Sequence, residues 1–468
     1  MNRHSNYKYT IDMSHGPLFG KIVLFSLPLM SSYVMQVLFS TIDLIVIGRF
    51  ASSKAMAAVG ATSGLTVLVL NIFVGLSVGV NVLSARYIGA RDRKNLSASV
   101  HTAAAVGLYG GLVMAVIGIL ISRPVLKMML TPAEILNQSS LYMWIYCSSI
   151  PFIILYNFGS SILRAQGDTR RPLYFMIVGG IVKVLLNLFL VIVLRMDVGG
   201  VALATLVSNG ISAGLTLRTL ATARDSARLI WKKVRIDKAI FKDMLRIGLP
   251  AGIQGSFFSL SNIVIQSSIN SLGTQAIAGN TAAQSLEGLV YVASSSFYYT
   301  AISFVGQNHG AQKYKRIVRS VFICMFCTIV LSLISGWLFY LFGQPLLKMY
   351  NSDPEVIHWG MIRAEILFTT YFLCATMDTI SGSLRGLGHS VKPTIVTLMG
   401  VCVFRIFWVL WIFPHYRTME NLMISYPVSW TIVSLVNGFI LFWVIRKMFR
   451  QVAGEHPHHG FATLKPKR

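Results

Sequence analysis

Acidic residues are scarce in this chain. Its 468 residues hold 16 Asp and Glu against 41 Lys and Arg, and only 12% are charged. A soluble domain usually carries about 25%, so that class is excluded. Soluble-type catalytic motifs are absent too. No Walker-type phosphate loop appears, which argues against ATP hydrolysis on this chain. There is no HExxH, GxSxG or clustered His/Cys set, and no His lies deep in an expected span, so a membrane-embedded enzyme such as an acyltransferase lacks its chemistry. Cysteine is limited to Cys147, Cys324, Cys327, Cys374 and Cys402. CMFC at 324–327 has CxxC spacing without a second ligand pair, so small apolar filler is the expectation rather than a redox or zinc site. HPHH at 456–459 reads as a solvated tail.

What is abundant is apolar residue, 54% of the chain. Runs of about 20 such residues, each long enough to cross a bilayer, recur twelve times: roughly 21–48, 55–85, 97–122, 140–163, 173–194, 198–220, 244–270, 276–306, 317–343, 359–384, 391–413 and 423–446. Period-2 alternation, the mark of a β-barrel, is missing. The expectation is an all-α polytopic membrane protein with twelve transmembrane helices. No cleavable signal peptide is expected, because residues 1–20 are polar and the first run is too long for an h-region. The +25 net charge follows this topology: 31 of the 41 basic residues fall in alternate polar segments and 8 in the loops between them. The positive-inside rule places both termini in the cytoplasm. The basic charge then implies some affinity for anionic membrane lipid and no nucleic-acid partner.

The chain also repeats itself. LRAQGDTRRP (163–172) and LRGLGHSVKP (384–393) share Leu, Arg, Gly and Pro at an offset of 221, and Gly89 matches Gly310 at the same offset. DLIVIG (43–48) matches NIVIQS (262–267), and LP at 27–28 matches LP at 249–250. The division expected is a six-helix bundle at 1–221, a basic cytoplasmic linker at 222–243, a second six-helix bundle at 244–447 and a cytoplasmic tail at 448–468. Six helices per half give parallel repeats about an axis along the membrane normal, an arrangement suited to alternating access with substrate near mid-membrane.

Charges inside apolar runs are costly, about 2.5–3.5 kcal/mol on insertion scales, and mark functional candidates. Asp43 sits near the outer end of helix 1, in STIDLIVIGRF. It is either a helix-end carboxylate reaching water or a cavity-facing group whose proton comes and goes with a transport cycle. Lys183 lies one turn before Asn187 on helix 5. It is either a counter-charge to Asp43 or a side chain snorkelling to an interface. In the second half, Glu287, Asp378 and Arg405 fall in helices 8, 10 and 11. With Asn262, the counterpart of Asp43, and Tyr291 they are assigned to a substrate cavity. Two acids there would suit cationic ligands, and Tyr291, Tyr298, Tyr299 and Tyr371 would add cation–π contacts unless they are ordinary core. Asp378 and Arg405 are alternatively a structural salt bridge. Glycines at 75–79, 110–111, 179–180 and 199–200 permit close helix approach, and Pro28 and Pro250 are equivalent candidate kinks.

These segments together resemble one family. SLPLMSSYVMQVLFSTIDLIVIGRF, AMAAVGATS and GLSVGVNVLSARYIGARD are similar to the opening helices of the multidrug and toxic compound extrusion (MATE) family, and LRAQGDTRRP, FVGQNHGAQ and SGSLRGLG to its loop signatures. The resemblance spans about residues 15–447. It implies a V-shaped pair of bundles that exports organic cations and xenobiotics in exchange for protons or sodium. On that basis the protein is expected to be a monomeric secondary transporter in a bacterial inner (plasma) membrane, with no cofactor beyond its coupling ion. The family's helix 1 acid falls on Asp43 and its helix 5 asparagine on Asn187. Where the DinF-like branch has a further aspartate, this chain has Val191. Where the NorM-like branch has a helix 7 glutamate, it reads GSFFSLSN; the helix 10 aspartate of that branch falls on Cys374, one turn from Asp378. The competing reading is a flippase or exporter of lipid-linked saccharides from the same superfamily, which would favour a strongly cationic cavity.

Overall fold

The computed structural model describes residues 9–129 and 131–452; the tail histidines and both chain ends lie outside the described residues. Among these, the chain is helical and built on twelve long helices. They are α1 Leu18–Phe50, α2 Ser53–Gly89, α3 Arg93–Met128, α4 Ala133–Ala165, α5 Arg170–Val193 and α6 Asp197–Ala221. The second set is α7 Lys238–Asn270, α8 Thr274–Gly310, α9 Tyr314–Leu341, α10 at 354–386, α11 Val391–Ile412 and α12 Met419–Val452. Ten are long and apolar enough to cross a membrane. The exceptions, α7 and α10, are diluted by Ser, Gln and Asn in one and by Arg363, Glu365, Asp378 and Arg385 in the other.

Caps explain where helices begin. The side chains of Ser52, Asp92, Asp237 and Asp353 each accept a bond from a backbone N–H of the turn that follows, satisfying donors that a helix start leaves open. Asp237 therefore starts α7 at Lys238, inside the stretch expected as linker. Asp353, followed by Pro354 at the first helical position, starts α10 before its apolar run.

The cores are shared across the repeat. The inner half of α1 (Leu18, Ile22, Phe25, Leu29) packs on Phe297, Phe304, Cys324 and Cys327 of α8 and α9, with Phe25 edge-on to Phe304 at 5.5 Å. Its outer half turns back to its own repeat, where Val46 and Ile47 meet Val191 and Val201. Helix α7 mirrors this: Ile240, Met244 and Ile247 join the core of α2–α4, while Ile265 and Ile269 join that of α8, α10 and α12.

One end of the molecule is closed. A Cβ on Gly75 would lie 2.1 Å from Gly252 N, and one on Gly79 would lie 2.5 Å from Met244 O. Gly248 and Gly252 approach α2 as closely in return, so two small-xxx-small faces interlock between the halves. Gly89 and Gly310 repeat the device between α2 and α8. Residues 9–16 form a strap over this end. Ile11 N donates to Gly167 O at 3.1 Å, and Asn308 and Arg316 donate to Met13 O at 3.2 and 3.0 Å. Arg316 also holds Gly16 O and His15 O, and Lys313 holds Ser14 O. Burial pushes the Asp12 carboxyl up, but bonds from the Ser14 hydroxyl and amide and the His15 ring outweigh it and hold the group at about 2. Towards the other end, Gly60 and Gly64 face open space.

Candidate functional site

Asp43 is brought to α5 by the outer half of α1. Its Oδ2 is ion-paired with Lys183 Nζ, and its Oδ1 accepts from Asn187 Nδ2 at 2.7 Å. Lys183 and Asn187 are one turn apart and so share a face. Their pairing with Asp43 leaves the carboxylate side chain 16% exposed and the lysine 21%. Asn187 is fully buried and its Oδ1 has no partner. Of the two readings of Lys183, the counter-charge is the one the structure forms. Val191 packs on Val46 and Ile47, so this position adds no second acid to Asp43.

In the second half, Glu287 lies more than three turns into α8. Its Oε2 accepts from both Arg363 Nε at 3.0 Å and Nη2 at 2.6 Å, charge-assisted bonds converging on one oxygen in a buried setting. Arg363 Nη1 donates to Asn280 Oδ1 at 2.5 Å, and Asn280 in turn donates to Gln266 at 3.1 Å. The Tyr371 hydroxyl lies 3.5 Å from Glu287 Oε1. Arg363 was missed in the sequence because, four residues into the apolar run, it was counted with the preceding loop. The Asp353–Pro354 cap signal was there to find it: a helix starting at 354 puts Arg363 in its third turn.

Asp378 and Arg405 do not pair. Asp378 faces α8 and accepts from Ser294 Oγ at 2.7 Å. Arg405 faces α12, donating from Nε to Ser429 Oγ at 3.1 Å, with its guanidinium carbon 3.8 Å from the Tyr426 ring centre. The acids of this half are therefore engaged: Glu287 by a cation, Asp378 by a hydroxyl. Tyr291 stands edge-on to Tyr371 at 6.3 Å. Tyr298 binds Arg385, and Tyr299 lies under Arg164 at 4.9 Å. Asn262 is exposed and takes no part in these bonds.

Among the described residues, twelve long helices, ten of them apolar enough to cross a membrane, with an ion pair inside each half, define a polytopic membrane protein. The MatE family model matches the chain twice, over residues 28–189 and 250–411. The chain belongs to the MATE family. It is similar to the probable multidrug resistance protein YoeA of Bacillus subtilis, 26% identical over 92% of this chain and 95% of that one. It is also similar to the probable multidrug resistance protein NorM of Thermotoga maritima, 26% identical over 86% of this chain and 88% of that one. A crystal structure of MATE in complex with MaL6 shares the fold, with a TM-score of 0.88 at 21% identity, over 94% of this chain and 98% of that one.

Proposed function

We propose that this protein is a secondary active multidrug efflux transporter of a bacterial plasma membrane, exporting cationic or amphiphilic small molecules by antiport through alternating access. Its halves are the bundle that ends at Ala221 and the one that begins at Lys238, its termini are cytoplasmic, and it works as a monomer. On that topology the strapped, glycine-sealed end is the cytoplasmic one and the described state is outward-open. The observation that carries the reading is the Asp43–Lys183–Asn187 cluster. A carboxylate in a membrane helix, held by a releasable cation, lets protonation or cation binding change the relative stability of two states. Both oxygens of Asp43 already have donors, so a sodium ion would have to displace Lys183 or Asn187 from the carboxylate, and the exchanged species is read as a proton.

The test is ethidium uptake into proteoliposomes under a proton gradient and a sodium gradient imposed separately, with the wild type and Asp43→Asn. Uptake driven by one gradient and lost in the variant is the expected result. Folded protein that moves ethidium under neither gradient would shift the weight to a lipid-linked saccharide substrate.

A further inference from the structure

Among the charges inside the helices, two opposite pairs balance. Lys183 meets Asp43, and Arg363 meets Glu287. Among the described residues Arg385, at the inner end of α10, also lacks a carboxylate but is held by Tyr298, Gln254 and Thr394; Arg405, in mid-helix, has far less. It is 3% exposed, and among the described residues no carboxylate forms an ion pair with it. Glu287 is occupied by Arg363 and Asp378 by Ser294. Of the Arg405 nitrogens, Nε reaches Ser429, while Nη2 is buried with no hydrogen-bond partner. The Tyr426 ring covers one face of the guanidinium, and Trp430 lies 5.8 Å away. A cation–π contact offsets only part of the desolvation of a charge. A guanidinium cannot shed its proton to escape that cost.

The backbone at this point is unusual as well. Arg405 lies in a four-residue α-helical stretch, Phe404–Phe407, between two π-helical segments, Leu398–Val403 and Trp408–Ile412. Such π segments are rare and frequently accompany functional positions. Here they flank one unpaired buried cation.

We propose that Arg405 is an anion-binding group, completed by a compact monovalent anion: either a halide or the carboxylate of a zwitterionic amphiphile. The guanidinium fork suits a carboxylate, which can take two parallel N–H bonds. The carboxylate arm rests on the reading of this half as a substrate site; the halide arm does not. With Glu287 already paired to Arg363, Arg405 would orient the anionic end of a substrate whose cationic end lies elsewhere.

The test uses a matched pair of dyes and the purified full-length protein. Rhodamine 123 is the methyl ester of rhodamine 110, so the two differ in a free carboxylate. Binding of each is measured by fluorescence anisotropy in sodium methanesulfonate and in sodium chloride, alongside the melting temperature in each salt. In methanesulfonate, rhodamine 110 is expected to bind about tenfold tighter than its ester, equivalent to about 1.4 kcal/mol. In Arg405→Gln that ratio should fall to near one. Chloride should narrow the ratio and raise the melting temperature of the wild type if a halide shares the group. If Arg405→Gln does not fold, the wild-type comparisons decide alone. Equal affinity for both dyes, together with a melting temperature indifferent to chloride, overturns the proposal; so does a preference that survives in Arg405→Gln. If neither dye binds while chloride still stabilises the wild type, the anion site stands and the multidrug reading fails.

Discussion

Replacing Gly75 with alanine should loosen the closed end. The added Cβ would sit 2.1 Å from Gly252 N and 2.3 Å from its Cα, whereas ordinary contact begins near 3.4 Å. The obstructing atoms are backbone, so no side-chain rotation relieves them; α2 and α7 must part by more than an ångström at their crossing. The neighbouring approaches of Gly79 and Gly248 then open, and the 3.2 Å bond from Asn71 to Ser259 stretches. Overpacking of this kind costs about 1–3 kcal/mol. Because the strain falls on the state with this end closed, the ratio of closed to open molecules should drop by roughly 5–150-fold. Spin labels at Lys94→Cys and Lys315→Cys, both exposed near the closed end, would report it as a longer component in the distance distribution. Gly60→Ala is the control, since its Cβ meets nothing within 4 Å and alanine favours the helix by up to about 1 kcal/mol. Distance distributions and melting temperatures identical in both variants and the wild type would refute the reasoning.

Other outcomes follow from the same geometry. Glu287→Gln strands the Arg363 guanidinium in a buried setting and should destabilise by about 3–5 kcal/mol, read as a lower melting temperature; Glu287→Gln with Arg363→Met should recover much of the loss. Lys183→Ala leaves Asp43 with Asn187 alone and should lower gradient-driven ethidium transport while the protein still folds, measured in proteoliposomes. Met13→Asp puts a charge into the apolar seat between α1, α8 and α9 and should raise hydrogen exchange in residues 9–16. The strap should also loosen in acid. Asp12 titrates lower in the folded chain than its ordinary value of 3.8, so its contribution is present above that value and fades as pH falls towards 2; exchange in residues 9–16 should rise over that window and not in Asp12→Asn.

The helices were legible because lipid demands long apolar runs, and the run limits sit inside the observed helices wherever polar first turns precede them. Asp237 and Asp353 show how capping moves a start that hydropathy alone puts later. The Asp43 cluster could be suspected from one-turn spacing on helix 5, yet whether Lys183 met Asp43 or an interface depended on the rotation of α1 against α5, which no local pattern encodes. Glycines 75–79 announced a close approach without naming its partner, because the complementary pair, Gly248 and Gly252, lies in the other half. The cation that meets Glu287 could not be read from the run limits, since Arg363 was counted with a loop.

The exchange of α1 and α7 between the halves has a consequence for biogenesis. Leu18, Ile22 and Phe25 emerge from the ribosome early, but Phe297 and Phe304, the residues they pack on, are made far later. At about 5–20 residues per second, the first helix waits roughly 15–50 s for that partner. During this interval the nascent first bundle has an inner helix end with no protein to pack on and must rely on lipid or an insertion factor. Two halves expressed as separate polypeptides would each begin with a helix seated in the other, so they should mature together or not at all.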